Sequence, residues 1–260
     1  TAFAKSLTFR AVCCSIGSNM VLGMKDRYGY SLSTNSQNAR DAYVLGLDRF
    51  LGAEIGVEAA LKLATQEDEG FALPHVVSAR YRQLVGDRAG AQQSLHLAKQ
   101  CDGPLTDREA RQIKIIGLLI DGKNAAGYQA ARDQLQEYPR DVIIAQACLG
   151  VLSLIGFSGE PGREAENLAL AEILEPHYGD DWWLQGLLGF AQVEVGQFHR
   201  AEKSIDKSLT ANPRNAHGAH FRSHLYYEIG QTEVGYAFIT DWQRSYKKEG
   251  QMHCHIAWHI

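Results

Sequence analysis

Two His-x-x-x-His pairs lie toward the end of this 260-residue sequence, His220/His224 and His255/His259, and six of its ten histidines fall between His217 and Ile260. On a helix, a spacing of four places two side chains on one face about one turn apart, so each pair presents two imidazoles in one direction. Neutral imidazole ligates zinc, iron, copper and nickel. Four rings fill a tetrahedral site; alternatively, three bind and the fourth orients them. A lone pair of this kind is common as packed histidine without an ion. Two pairs that meet are a metal-site pattern, so the elements that carry them decide the matter.

The composition, 45% apolar and 22% charged, is that of a soluble globular protein and excludes disordered and fibrous classes. A net charge of −4 and the lack of any Lys/Arg block argue against nucleic-acid binding. The five cysteines, Cys13, Cys14, Cys101, Cys148 and Cys254, show no C-x-x-C spacing and read as free thiols of a reducing, cytoplasmic compartment. The longest apolar stretch, Val142 to Phe157, is short of the ~20 residues of a membrane span and is expected to form a buried core helix, with no membrane partner. Residues 1–28 carry a short apolar run, Ala11 to Ile16, after Lys5 and Arg10. No small-residue cleavage site follows before Tyr28, so this segment is left unassigned and residues 29–260 are taken as one domain.

Apolar residues recur at three-and-four spacing, as in Ala42, Leu45, Leu47 and Phe50 or Ile113, Ile116, Leu119 and Ile120, and strict strand alternation is scarce. An all-α architecture follows. Pro139, Pro176 and Pro213 are spaced evenly, two of them in the similar contexts Tyr138-Pro139-Arg140-Asp141 and Asn212-Pro213-Arg214-Asn215. Such punctuation marks repeating units. Within one period, Leu188, Gly189, Ala191, Gly196, Phe198, Ala201, Ile205, Leu209 and Pro213 resemble a tetratricopeptide repeat. The next period repeats it more weakly through Tyr226, Gly230 and Ile239. The resemblance implies a right-handed solenoid of antiparallel helix pairs whose first helices line a concave groove.

Repeat register then places the histidines. Trp183, Gly186, Phe190 and Glu194 correspond to His217, His220, His224 and Glu228, and one further period reaches His255 and His259. These are groove positions in tetratricopeptide repeats, so both pairs are expected to face one groove together with His217, Trp183, Phe190 and Tyr227. Glu194 and Glu228, a turn further along, are candidates to accept from ring N–H groups or to act as the acid/base on a metal-bound water. Asp180 and Asp181 read as helix caps, and Thr106 with Glu109 as a capping box.

The chain also resembles the tetratricopeptide repeat protein 38 family from about Gly29 onward. The resemblance is carried by Leu32-Ser33-Thr34 with Ser36 and Ala39, by His75, by Pro104-Leu105-Thr106 with Arg108-Glu109, and by Gly186, Phe190 and Glu194. It ends in the two histidine pairs with Cys254 and Trp258. The chain departs from the family's pattern at Tyr226 and Tyr227, where relatives often carry His then Glu, and at Leu149 and Gly150, where an acidic residue is absent. Family members continue beyond the second pair, which implies a domain cut short at Ile260 or association through that end.

Two functional classes result. One is a helical-repeat interaction protein whose groove takes a peptide, protein or small-molecule ligand and carries a polyhistidine metal site. The other is a metal-dependent enzyme, a zinc hydrolase or a non-haem iron oxidoreductase, with the ion on His220, His224, His255 and His259.

Overall fold

The computed structural model describes residues 23–260, so the apolar run Ala11 to Ile16 and Cys13 and Cys14 lie outside the described residues. Thirteen helices follow one another: α1 Gln37–Leu51, α2 Val57–Glu67, α3 Leu73–Leu84, α4 Arg88–Gln100, α5 Asp107–Ile120, α6 Asn124–Glu137, α7 Val142–Cys148, α8 Arg163–Tyr178, α9 Trp182–Glu194, α10 Phe198–Ala211, α11 Ala216–Glu228, α12 Thr232–Gln243 and α13 His253–Trp258. Among the described residues the only β pairing is a single bridge, Lys25 to Ser31. No helix there is long and apolar enough to cross a membrane.

Local chemistry sets the helix starts. Ser36, Asp87 and Asp181 accept from backbone N–H groups of the first turns of α1, α4 and α9. Thr106 and Glu109 form the expected reciprocal capping box on α5. Consecutive helices then pair as antiparallel hairpins, α1 with α2, α3 with α4, α5 with α6, α9 with α10 and α11 with α12. Glycine makes two of these crossings close. A Cβ on Gly46 would lie 2.6 Å from Leu61 Cδ2, and one on Gly189 would lie 2.6 Å from Ile205 Cγ1 and 3.2 Å from the Ala201 carbonyl oxygen. The tetratricopeptide-like, all-α repeat architecture read from the sequence is the one observed.

Two local expectations are corrected. The stretch Val142 to Phe157 is not one core helix: α7 ends at Cys148, Leu149 turns extended, and Val151, Leu152 and Phe157 stand exposed in the following turns. Its cause is Gly150, which adopts a left-handed φ of 89°. Pro176 does not close a unit either; it sits inside the last turns of α8, and the chain breaks at Gly179 instead.

The array closes on itself. Ala53, in the turn after α1, is buried with Ala216 and Ala219 of α11, Ile239 of α12 and Ile256 of α13. The Gly52 carbonyl accepts from Ala216 N–H at 3.0 Å, the Ala53 carbonyl from the Tyr246 hydroxyl at 2.5 Å, and Glu54 pairs with Arg214 at 3.1 Å. The first hairpin thus buttresses the helices that carry the histidines.

Residues 24–28, in the segment left unassigned by sequence, pack against the helices. Tyr28 is buried edge-on against Tyr178 at 5.5 Å between ring centres, and Tyr30 meets Tyr138 at 5.8 Å. Arg27 pairs with Asp48 at 2.6 Å and with Asp181. Buried Arg108 lies between Asp26 at 3.7 Å and Asp141 at 3.9 Å, while a Glu109 carboxylate oxygen accepts from Ser33 N–H at 2.9 Å. Residues 24–33 therefore cover the inner face formed by α1 and the N-terminal ends of α5, α7 and α9. Together these contacts tie the segment to the helices. Its partners lie as far as 154 residues away, beyond any local pattern.

Candidate metal centre

The histidine pairs ride on α11 and α13. On α11, Phe221 and Leu225 face inward, with Phe221 stacked on Phe190 of α9 at 4.5 Å. This packing orients the adjoining helix face, which carries His217, His220 and His224. Helix α13 is short, and Ile256 anchors it in the core shared with Ala53. That anchor turns His255 and His259, the latter at the helix's C-terminal cap, toward α11.

All four rings of the two pairs converge. Their ligand nitrogens lie within 4.8 Å of one another. The Nε2 atom of His220 stands 2.8 Å from that of His224 and 2.8 Å from that of His255, and His259 Nε2 is 3.4 Å from His255 Nε2. Ring planes cross at angles from 51° to 89° between the two pairs and within them, so the nitrogens point inward instead of the rings stacking. A tetrahedral zinc site with metal–nitrogen bonds of ~2.05 Å requires nitrogen–nitrogen edges of roughly 3.3 Å, close to these separations.

Proton bookkeeping favours a shared cation. Each Nε2 has one in-plane position, holding either a proton or a lone pair. His220 Nε2 therefore cannot serve two neighbours at 2.8 Å by hydrogen bonding, whereas one ion between the rings accepts all four lone pairs. Three of the rings, His220, His224 and His259, are also held in the ligand form. Burial, followed by the charge of neighbouring rings, lowers His220 to about 2 and His224 to about 4, and lowers His259 in the same way. Among the described residues no carboxylate belongs to the cluster.

The other expected site residues divide. His217 is half-buried, stacked on Phe221 at 6.0 Å and lowered to about 4 by burial and His255, but its nitrogens are outside the converging set. Trp183 is not a groove residue: it is 4% exposed and packs against Tyr178 at the end of α8. Phe190 lies under the site, edge-on to His224 at 5.8 Å, and borders the small cavity that Glu194 also lines. Glu194 and Glu228 make no hydrogen bond to a histidine ring among the described residues, which removes the expected acceptor role; His220 Nδ1 is buried without a partner there. Glu194 instead borders a small cavity with Gly150 and Arg163, where burial and then Glu164 and Glu228 raise its carboxyl.

Glu228 and Tyr227 do border the site. With His224, His259, Tyr236 and Trp258 they line an open cleft of ≈ 810 Å³ on one side of the cluster. Glu233 and Tyr236 are among the lining residues that sequence reasoning missed, since neither falls on the repeat's groove register.

No known family model matches the chain. Among solved structures it is similar to PilW, described as a widely conserved type IV pilus biogenesis factor, with 15% identity and a TM-score of 0.44 over 83% of this chain and 98% of that one. It is also similar to PilF of Pseudomonas aeruginosa, with 16% identity and a TM-score of 0.45 over 85% and 98%. No function is carried over from these likenesses.

Proposed function

We propose that the protein is a helical-repeat binding protein built around a four-histidine transition-metal centre, with zinc on His220, His224, His255 and His259. The observation that carries this is the convergence of four inward-pointing ring nitrogens from two helices. Zinc fits better than iron because the donor set is all imidazole and lacks the carboxylate of the usual non-haem iron triad. The residues behind the likeness to the tetratricopeptide repeat protein 38 family accord with this, since they include both pairs with Cys254 and Trp258. Ion and helices are mutually dependent: a metal that ties α11 to α13 also ties both to the first hairpin through Ala53.

Elemental analysis of the purified protein tests the proposal. About one zinc per chain is expected, with near-complete loss in the His224→Ala/His259→Ala double variant. A metal-free wild type that also fails to take up added zinc would overturn it.

One observation favours a hydrolytic enzyme as a second function. His224 and His259 face the cleft that Glu228 borders, so a ligand position exchanged for water would open onto a carboxylate able to act as general base. That function requires a three-histidine resting site. Zinc-dependent turnover of activated ester substrates, abolished in Glu228→Gln with metal retained, would support it; equal rates in the variant would exclude it.

A further inference from the structure

The cleft beside the histidines has a composition that the metal centre does not account for. Three aromatic side chains line it, and all are held open: Tyr227 is 69%, Tyr236 54% and Trp258 78% exposed. Tyr227 ends α11, Tyr236 lies on α12 and Trp258 closes α13, so three different helices each contribute one ring. Exposed rings gathered from separate elements into one concavity mark a ligand surface more than a solubility compromise.

Charge selects the ligand. Two carboxylates, Glu228 and Glu233, line the same cleft, and among the described residues no lysine or arginine does. Among the described residues neither carboxylate forms an ion pair or a side-chain hydrogen bond, although the chain's other surface acids are often paired. Zinc on His224 and His259 would put positive charge at one end of the cleft, which the two carboxylates offset. Aromatic faces are electron-rich and attract cations, most strongly the weakly hydrated alkylated ammonium ions, and flanking carboxylates add long-range attraction.

We propose that this cleft binds a small organic ammonium ion, with Trp258, Tyr227 and Tyr236 offering ring faces and Glu228 and Glu233 supplying the compensating charge. This goes beyond the metal centre and does not depend on it.

Choline and its uncharged all-carbon isostere serve as probes. Calorimetric titration into the full chain is run both as purified and with a chelator present, so that binding is read with and without an ion on the histidines. Saturable choline binding is expected, at least tenfold tighter than that of the isostere, and weakened about tenfold in each of Trp258→Leu and Glu228→Gln. Both residues are solvent-exposed, so the variants keep the fold, which helical circular dichroism verifies. The proposal is overturned if choline does not saturate, if the neutral isostere binds equally well, or if both variants bind choline as the wild type does.

Discussion

His220 and His255 are 35 residues apart in sequence, yet their Nε2 atoms stand 2.8 Å apart. The whole of α12 separates the helices that carry them, so this approach is a property of the hairpin stack and not of local chain geometry. His220 also contacts His224, which makes it the hub of the cluster.

Replacing the hub should therefore cost the most. For His220→Ala we expect zinc affinity to fall by at least roughly a hundredfold, beyond what loss of an outer partner costs. Competition with a chromophoric chelator measures it. His217→Ala, outside the converging set, should retain zinc within a few-fold of wild type.

The metal-free protein should lose stability on mild acidification. His217, His220 and His224 have folded-state values below the ordinary 6.5. The unfolded chain thus binds protons that the folded chain refuses, so their contribution is complete above about 6.5 and is lost as pH falls from there, toward about 4 for His217 and His224 and toward about 2 for His220. Urea midpoints recorded at a series of pH values should decline across that window. Zinc should displace the decline to lower pH, because protons and metal compete for the same lone pairs.

Arg108 is the counterion of two buried carboxylates, Asp26 and Asp141. Arg108→Met strands both in the interior and is expected to cost about 3–5 kcal/mol. Urea denaturation followed by circular dichroism checks it. Removing Arg111, whose partners Asp107 and Glu137 are solvent-exposed, should leave the midpoint nearly unchanged.

At the α9–α10 crossing, Gly189→Ala places a methyl group against Ile205 and the α10 backbone. A loss of about 1–3 kcal/mol is expected from overpacking. Gly46→Ala meets mainly the Leu61 side chain, and the two losses should add in a double variant, since the sites share no partners.

Much of this was legible in the sequence wherever the signal was local or periodic. Three-and-four spacing set the helices, Thr106 with Glu109 and Asp181 marked starts, and the repeat register brought His220, His224, His255 and His259 to one place. Signals failed where tertiary packing overrode pattern. Trp183 holds a groove position by register but is buried against Tyr178 at the end of α8. Val142 to Phe157 is apolar throughout, yet Gly150 breaks it. The partnership of Arg27 with Asp181 has no sequence signature at all, and with it the packing of residues 24–28 against the helices was invisible. Glu194 shares its register with Glu228, but Phe190 stands between it and the rings.

X-ray absorption at the zinc edge of the zinc-loaded full chain addresses the central claim directly. The four-histidine centre predicts a first shell of four nitrogens at ~2.0 Å with the outer-shell scattering of imidazole rings. A shell made of oxygen, or one with fewer than three imidazoles, would contradict it.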